Sequence, residues 1–112
     1  MQTTVRDTDS TRIVVVEGDV DMTTSMALLE QLKAAVEQTP TSAFAINLSG
    51  VPYMDSSGIA SLLETMKHAR RRKLEFVLIG LSDNLRNVFS LSRLDQVFRI
   101  VDSEEELGNG RG

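Results

Sequence analysis

Short apolar runs alternate with segments of helical periodicity along almost the whole chain. The β-branched run Ile13-Val14-Val15-Val16 is typical of a strand that is buried on both faces of a sheet. Strands are predicted at residues 5–7, 12–17, 43–48, 74–79 and 97–101. Such an alternation of strands with helices predicts an α/β domain with a central, partly parallel sheet.

Three main helices and a short final one are predicted around these strands. In the first helix (residues 22–38), the residues predicted to face the core are Met22, Met26, Leu29, Leu32 and Val36. In the second helix they are Ile59, Leu62, Leu63, Met66 and Ala69. Asp83 can cap the third helix, whose core-facing residues are Leu85, Val88 and Phe89. Residues 103–106 have the pattern of a capped start of a brief C-terminal helix. We therefore expect a mixed sheet of four to five strands in a single domain (residues 1–107), followed by a flexible tail (108–112).

The composition limits the classes of function. The net charge of −4 argues against general binding to nucleic acid, which needs Lys and Arg to neutralise phosphates. No apolar run approaches the roughly 20 residues of a membrane-spanning helix, and the first residues lack the pattern of a secretory signal. We therefore expect a cytoplasmic protein that does not insert into membranes. The basic cluster at residues 67–73 is interpreted as the solvated end of the second helix.

Asp55, Ser56, Ser57 and Gly58 lie where the strand at 43–48 passes into the second helix. Asp and Ser accept hydrogen bonds from the free N–H groups at a helix start, so this segment can serve simply as a cap. The same N–H groups and the helix dipole also favour a phosphate, so a hydroxyl here is a candidate switch point. Met54, which precedes this turn, is either buried or a partly exposed contact for a partner.

A second acidic segment, Asp19-Val-Asp21, directly follows a predicted strand. This is the local pattern of a haloacid-dehalogenase-type phosphatase, in which the first Asp would be the nucleophile and the second an acid or base. Any Asp-rich turn after a strand imitates that pattern. His68 is the sole histidine of the sequence and there is no cysteine, so a His- or Cys-based metal cluster is excluded. The place of His68 in the basic end of the second helix favours a surface residue over the base of a conventional catalytic triad. We expect a protein that is not an enzyme and that binds no cofactor or metal.

Three stretches together resemble the STAS domain family, which is named for sulfate transporters and anti-sigma factor antagonists. Residues 18–21 (Gly-Asp-Val-Asp) look like the family's turn between the second strand and the first helix. Residues 53–59 (Tyr-Met-Asp-Ser-Ser-Gly-Ile) are very close to the phosphorylation loop of stand-alone bacterial antagonists. Residues 88–94 and 97–100 are similar to the third helix and the closing strand. The resemblance covers roughly residues 4–107 and implies the STAS fold.

The resemblance implies a partner-switching mechanism. Antagonists of this kind bind an anti-sigma factor that is itself a serine kinase of the GHKL type, and a PP2C-type phosphatase reverses the phosphorylation. The modified serine maps to Ser56, with Ser57 as the second choice. The phosphate is expected to leave the fold unchanged and to act at the interface, by repelling an acidic partner surface and by its cost of desolvation. The positions implied to contact partners are Asp21, Thr23, Met54, Asp55, Ser56, Ser57, Gly58 and Ile59.

A second role within the same family remains open at this point. Some small STAS proteins are stable subunits of lipid-transport ABC systems, where they dock on the ATPase without phosphorylation. The helix that follows Gly58 and its basic end at residues 70–72 suit that role as well.

Overall fold

The computed structural model describes the backbone of residues 1–109 and the side chains of residues 1–107. Of the predicted flexible tail (108–112), residues 108 and 109 belong to the last helix, and residues 110–112 lie outside the described residues. The strands are β1 (Gln2–Asp7), β2 (Thr11–Glu17), β3 (Ala43–Gly50), β4 (Glu75–Ile79) and β5 (Arg99–Val101). The helices are α1 (Ser25–Glu37), α2 (Ser56–Arg71), α3 (Asp83–Leu91) and α4 (Glu105–Asn109), with a 3-10 turn at Leu94–Gln96.

The five strands found in residues 1–109 form one mixed sheet in the order β1-β2-β3-β4-β5. β1 and β2 are antiparallel, whereas β2, β3, β4 and β5 run parallel to one another. This arrangement confirms the predicted mixed α/β architecture with three main helices and a short C-terminal helix. Because β2, β3 and β4 are parallel, the loops that follow them meet at one edge of the sheet.

The larger part of the core lies between the sheet and its helices. Side chains at alternate strand positions, such as Phe44 and Ile46, are fully buried there against Leu32 and Leu62. A row of rings continues the core towards β5: Phe44 and Phe76 have centroids 6.1 Å apart, Phe76 and Phe98 6.1 Å, and Phe98 and Phe89 5.8 Å. A smaller apolar cluster covers the other face of the sheet, and it consists of Ile13, Ala45, Val77, Ile79 and Val101, with Val15 and Leu107 packed against it.

The buried face of α1 differs from the prediction. The helix buries Leu28, Leu32, Ala35 and Val36. Met22 and Met26 were predicted to face the core, but their side chains are 80% and 68% exposed. Met22 lies in a turn before the helix, because the carbonyl of Asp21 accepts from Thr24 N at 3.0 Å and from Ser25 N at 2.8 Å. The apolar pattern of this segment fits two neighbouring helix faces, and α1 uses the one that contains Leu28.

Two further element boundaries differ from the prediction. Ser82, not Asp83, caps α3, because its hydroxyl accepts from Leu85 N at 3.2 Å. β1 starts at Gln2 rather than at residue 5, because its whole length pairs with β2, from Gln2 opposite Glu17 to Asp7 opposite Arg12. The polar sequence of an edge strand does not predict cross-strand pairing of this kind.

Candidate functional site

Backbone hydrogen bonds join the two loops that follow β2 and β3. Gly18 N donates to Gly50 O at 2.9 Å, Val20 N donates to Tyr53 O at 3.0 Å, and Asp55 N donates to Val20 O at 3.1 Å. These bonds continue the pairing of the two strands beyond their ends. Gly18 has a φ of +99°, a conformation that favours glycine. The two loops therefore form one hydrogen-bonded unit at the edge of the sheet.

Asp55 is the N-cap of α2. Its Oδ1 accepts from Ser57 N at 2.9 Å, from Gly58 N at 3.3 Å and from the Ser57 hydroxyl at 2.5 Å. The pKa of Asp55 lies below its usual range, chiefly because the Ser57 hydroxyl donates to the carboxylate, with the two backbone N–H groups adding to the effect. The predicted capping role is thus present, and the cap carries a negative charge at neutral pH.

The two adjacent serines are in different environments. Ser57 is half-buried, and its hydroxyl is engaged with Asp55. Ser56 is the first residue of α2 and is exposed. Among residues 1–109, no protein group is hydrogen-bonded to Ser56 Oγ. Ser56 therefore offers a free and accessible hydroxyl, whereas Ser57 does not.

Asp21 repeats the geometry of Asp55 in the neighbouring loop. Its Oδ1 accepts from Thr23 N at 2.9 Å and from the Thr23 hydroxyl at 2.6 Å. The pKa of Asp21 is lowered, mainly by the Thr23 hydroxyl. Val20, which immediately precedes Asp21, accepts a hydrogen bond from Asp55 N, so the two aspartates lie in the joined loops, and the charge of Asp21 acts to raise the pKa of Asp55. The edge of the sheet around Ser56 is consequently acidic.

Met54 and Gly58, two of the positions implied to contact a partner, lie beneath this surface. Met54 is 4% exposed and belongs to the main core. A Cβ placed on Gly58 would collide with the Met54 side chain and would lie 2.8 Å from Val20 Cγ1. Gly58 is therefore a close-packing position where α2 crosses the first loop. Ile59 is half-buried and packs against the core.

The structure brings five of the predicted positions together at the accessible edge, and they are Asp21, Thr23, Asp55, Ser56 and Ser57. It also places Met22, Met26 and Tyr53 at that edge with exposed side chains, which the sequence analysis missed. Met22 directly follows Asp21, which is a signal of its exposure, but the apolar character of Met22 and Met26 favoured a place in the core. Asp19 is also exposed in the first loop.

Comparison with known proteins identifies the family. The family model of the STAS domain matches residues 2–107. The chain belongs to the STAS domain family. This STAS domain is 34% identical over 102 residues to the anti-sigma-B factor antagonist of Listeria monocytogenes, an alignment that covers 91% of this chain and 88% of that protein. The curated relatives in Listeria monocytogenes and Staphylococcus aureus are both named anti-sigma-B factor antagonists.

Solved structures of STAS proteins have the same fold. An anti-sigma factor antagonist from Mycobacterium paratuberculosis superimposes with a TM-score of 0.84 at 29% identity, covering 99% of this chain and 94% of the other. The Bacillus cell fate determinant SpoIIAA, solved in its phosphorylated form, superimposes with a TM-score of 0.72 at 22% identity, covering 98% of each chain. The predicted STAS fold is thereby confirmed. Within residues 1–109, none of the helices of this STAS domain is long and apolar enough to cross a membrane.

Proposed function

We propose that this STAS domain is an anti-sigma factor antagonist whose affinity for its partner is controlled by phosphorylation of Ser56. The observation that carries the proposal is the contrast between two neighbouring hydroxyls: Ser56 is exposed and free, whereas Ser57 is held by Asp55. The relatives named as anti-sigma-B factor antagonists support this function, and the phosphorylated form of SpoIIAA supports the type of switch.

The anti-sigma factor in this proposal is a GHKL-type serine kinase that supplies ATP. The Ser56 oxygen attacks the γ-phosphorus, a new O–P bond forms, and the bond from that phosphorus to the bridging oxygen of ADP breaks. The hydroxyl proton passes to a base on the kinase or to water. A PP2C-type phosphatase restores the serine by transferring the phosphoryl group to water. The STAS domain contributes the accessible nucleophile, and its partners contribute the catalytic groups.

We expect the fold to tolerate a phosphate on Ser56 because the side chain is exposed. The N–H groups of Ser57 and Gly58 already donate to Asp55, so the phosphate, with about −1.5 to −2 charges, stays hydrated beside two carboxylates. An interface that closes over Ser56 must strip this hydration and make room for the added atoms. We therefore attribute release to desolvation and volume, rather than to repulsion by an acidic partner surface.

Three variants test the proposal against purified GHKL-type kinases from the source organism. Ser56→Ala is expected to bind one of them with near wild-type affinity and to resist phosphorylation, whereas Ser56→Asp binds more weakly. Ser57→Ala is the matched control and still accepts phosphate at Ser56, as read by mass spectrometry of the product. Equal affinity of all forms, or phosphate on Ser57 alone, contradicts the proposal. An ABC-transporter ATPase that binds both Ser56 variants equally would make the chain a transport subunit instead.

A further inference from the structure

Met22 and Met26, here called the methionine pair, are large apolar side chains that the fold leaves in solvent. They are 80% and 68% exposed, whereas Met54 and Met66 are 4% and 6% exposed in the core. The two residues are four positions apart, with Met22 in the turn that leads into α1 and Met26 in the first turn of that helix. A methionine side chain is flexible and polarisable, which suits an adaptable contact with another protein.

Contacts between the two helices locate the methionine pair beside the phosphorylation loop. The buried Ser61 hydroxyl of α2 lies 3.1 Å from the carbonyl oxygens of both Ser25 and Ser57. Ser25 immediately precedes Met26, and Ser57 immediately follows Ser56. The first turn of α1 and the first turn of α2 are therefore side by side. A protein surface that covers Ser56 also reaches the methionine pair.

The charges around this patch define the kind of surface that fits it. Asp19, Asp21 and Asp55 lie in the two joined loops. The basic residues 67–73 lie at the opposite end of α2. A second copy of this chain docked face to face would bring like charges together, and an anionic membrane would be repelled. The complementary surface is an apolar pocket with a rim of Lys or Arg.

We infer that the methionine pair is the apolar anchor by which the anti-sigma factor binds this STAS domain. The partner's pocket for it is bordered by cationic side chains that face the loop aspartates. This inference rests on the proposed function and adds the chemistry of recognition to it. Binding energy comes mainly from the buried methionines, and the aspartates set orientation and association rate.

The experiment uses the GHKL-type kinase that binds the wild-type chain. It compares the dissociation constants of Met22→Gln, Met26→Gln and the double variant with that of wild type. Gln has a similar length and helix propensity, so the fold is retained, and thermal unfolding checks this. Leu91→Gln is the matched control, because Leu91 is 86% exposed near the end of α3. We expect the dissociation constant to rise about tenfold or more for the double variant and to stay unchanged for Leu91→Gln. The wild-type affinity should also fall as salt is raised.

A second measurement uses the native sequence. Mild peroxide oxidation, read by mass spectrometry, should modify Met22 and Met26 quickly in the free chain and Met54 and Met66 slowly. The bound kinase should protect the methionine pair. A kinase that binds wild type and the double variant equally, with no protection, overturns this inference and leaves the proposed function standing. A wild-type chain that binds no serine kinase overturns both.

Discussion

The Ser57 hydroxyl lies 2.5 Å from Asp55 Oδ1, and this bond distinguishes Ser57 from the free Ser56 beside it. The same carboxylate oxygen also caps the backbone of α2. One side chain therefore caps the helix and also accepts from the Ser57 hydroxyl. We propose that this hydrogen bond within the turn directs phosphorylation to Ser56 rather than to Ser57.

Asp55→Ala should relax this selection. Without the carboxylate, the Ser57 hydroxyl becomes free, and two N–H groups of α2 lose their acceptor. We expect a lower urea midpoint and, with the GHKL-type kinase, phosphate on Ser57 as well as on Ser56. Ser82→Ala, which removes the cap of α3, controls for loss of a cap alone and should cost about 1 kcal/mol without changing the modified serine. Phosphate confined to Ser56 in Asp55→Ala would contradict this explanation.

Gly58→Ala should destabilise the domain although it lies in a helix. In an open helix this change stabilises by about 1 kcal/mol. Here the added Cβ meets Met54 and Val20, so we expect a net loss of about 1–3 kcal/mol. Urea unfolding of Gly58→Ala, Met54→Ala and the double variant gives the coupling free energy between positions 54 and 58. If the clash is real, the double variant loses less than the two single losses added together.

Ser61→Ala should weaken the contact between α1 and α2. The buried hydroxyl lies within 3.1 Å of the carbonyl of Ser25 in the other helix, and its loss is expected to cost about 1 kcal/mol in urea unfolding. Ser61→Leu should cost more, because a large side chain must separate the helices. Ala60→Leu is the control, since Ala60 is exposed on the same helix. A leucine tolerated equally at both positions would refute the close contact.

Acid should destabilise the domain partly through Glu104. Its carboxylate accepts from Arg6 Nη2 at 2.6 Å and from Asn47 Nδ2 at 2.8 Å, and its pKa is lowered chiefly by the bond from Arg6. The pKa of Glu104 in the folded state lies below its value of about 4.3 in the unfolded state. The resulting stabilisation is fully present at pH values above the unfolded-state pKa and is lost as the pH falls through the folded-state pKa. Urea midpoints measured from neutral pH to about pH 3 should fall less for Glu104→Gln than for wild type. If the urea midpoints of Glu104→Gln and wild type fall equally with pH, Glu104 does not contribute to the acid sensitivity.

Most of the fold could be predicted from the sequence because the apolar residues of its strands and helices recur with clear periodicity. The β-branched run of β2 and the Asp55 cap both occur where the pattern predicts them. The position of Ser56 at the start of α2 was predicted in the same way.

Side-chain exposure was harder to predict. Methionine is compatible with both core and surface, so the sequence left Met54 open between burial and a partner contact, and the structure buries it. The methionine pair was predicted to lie in the core, and that prediction was wrong. Ser61 and Thr65 are polar and yet buried, because small side chains let two helices approach and their hydroxyls bond to helix carbonyls. Such positions depend on the neighbouring helix, which local periodicity does not contain.

The backbone bonds between the loops at Val20 and Tyr53 have a consequence for cells that hold several circuits of this kind. The two loops that present Ser56 are joined through main-chain atoms, so apart from the Asp55 cap this frame does not depend on the identity of the exposed side chains around it. Duplicated copies can thus diverge at positions such as Met22 and Met26 while the serine stays in place. A few surface substitutions are then enough for duplicated domains to bind different partners and keep their signalling pathways separate, without any change of fold.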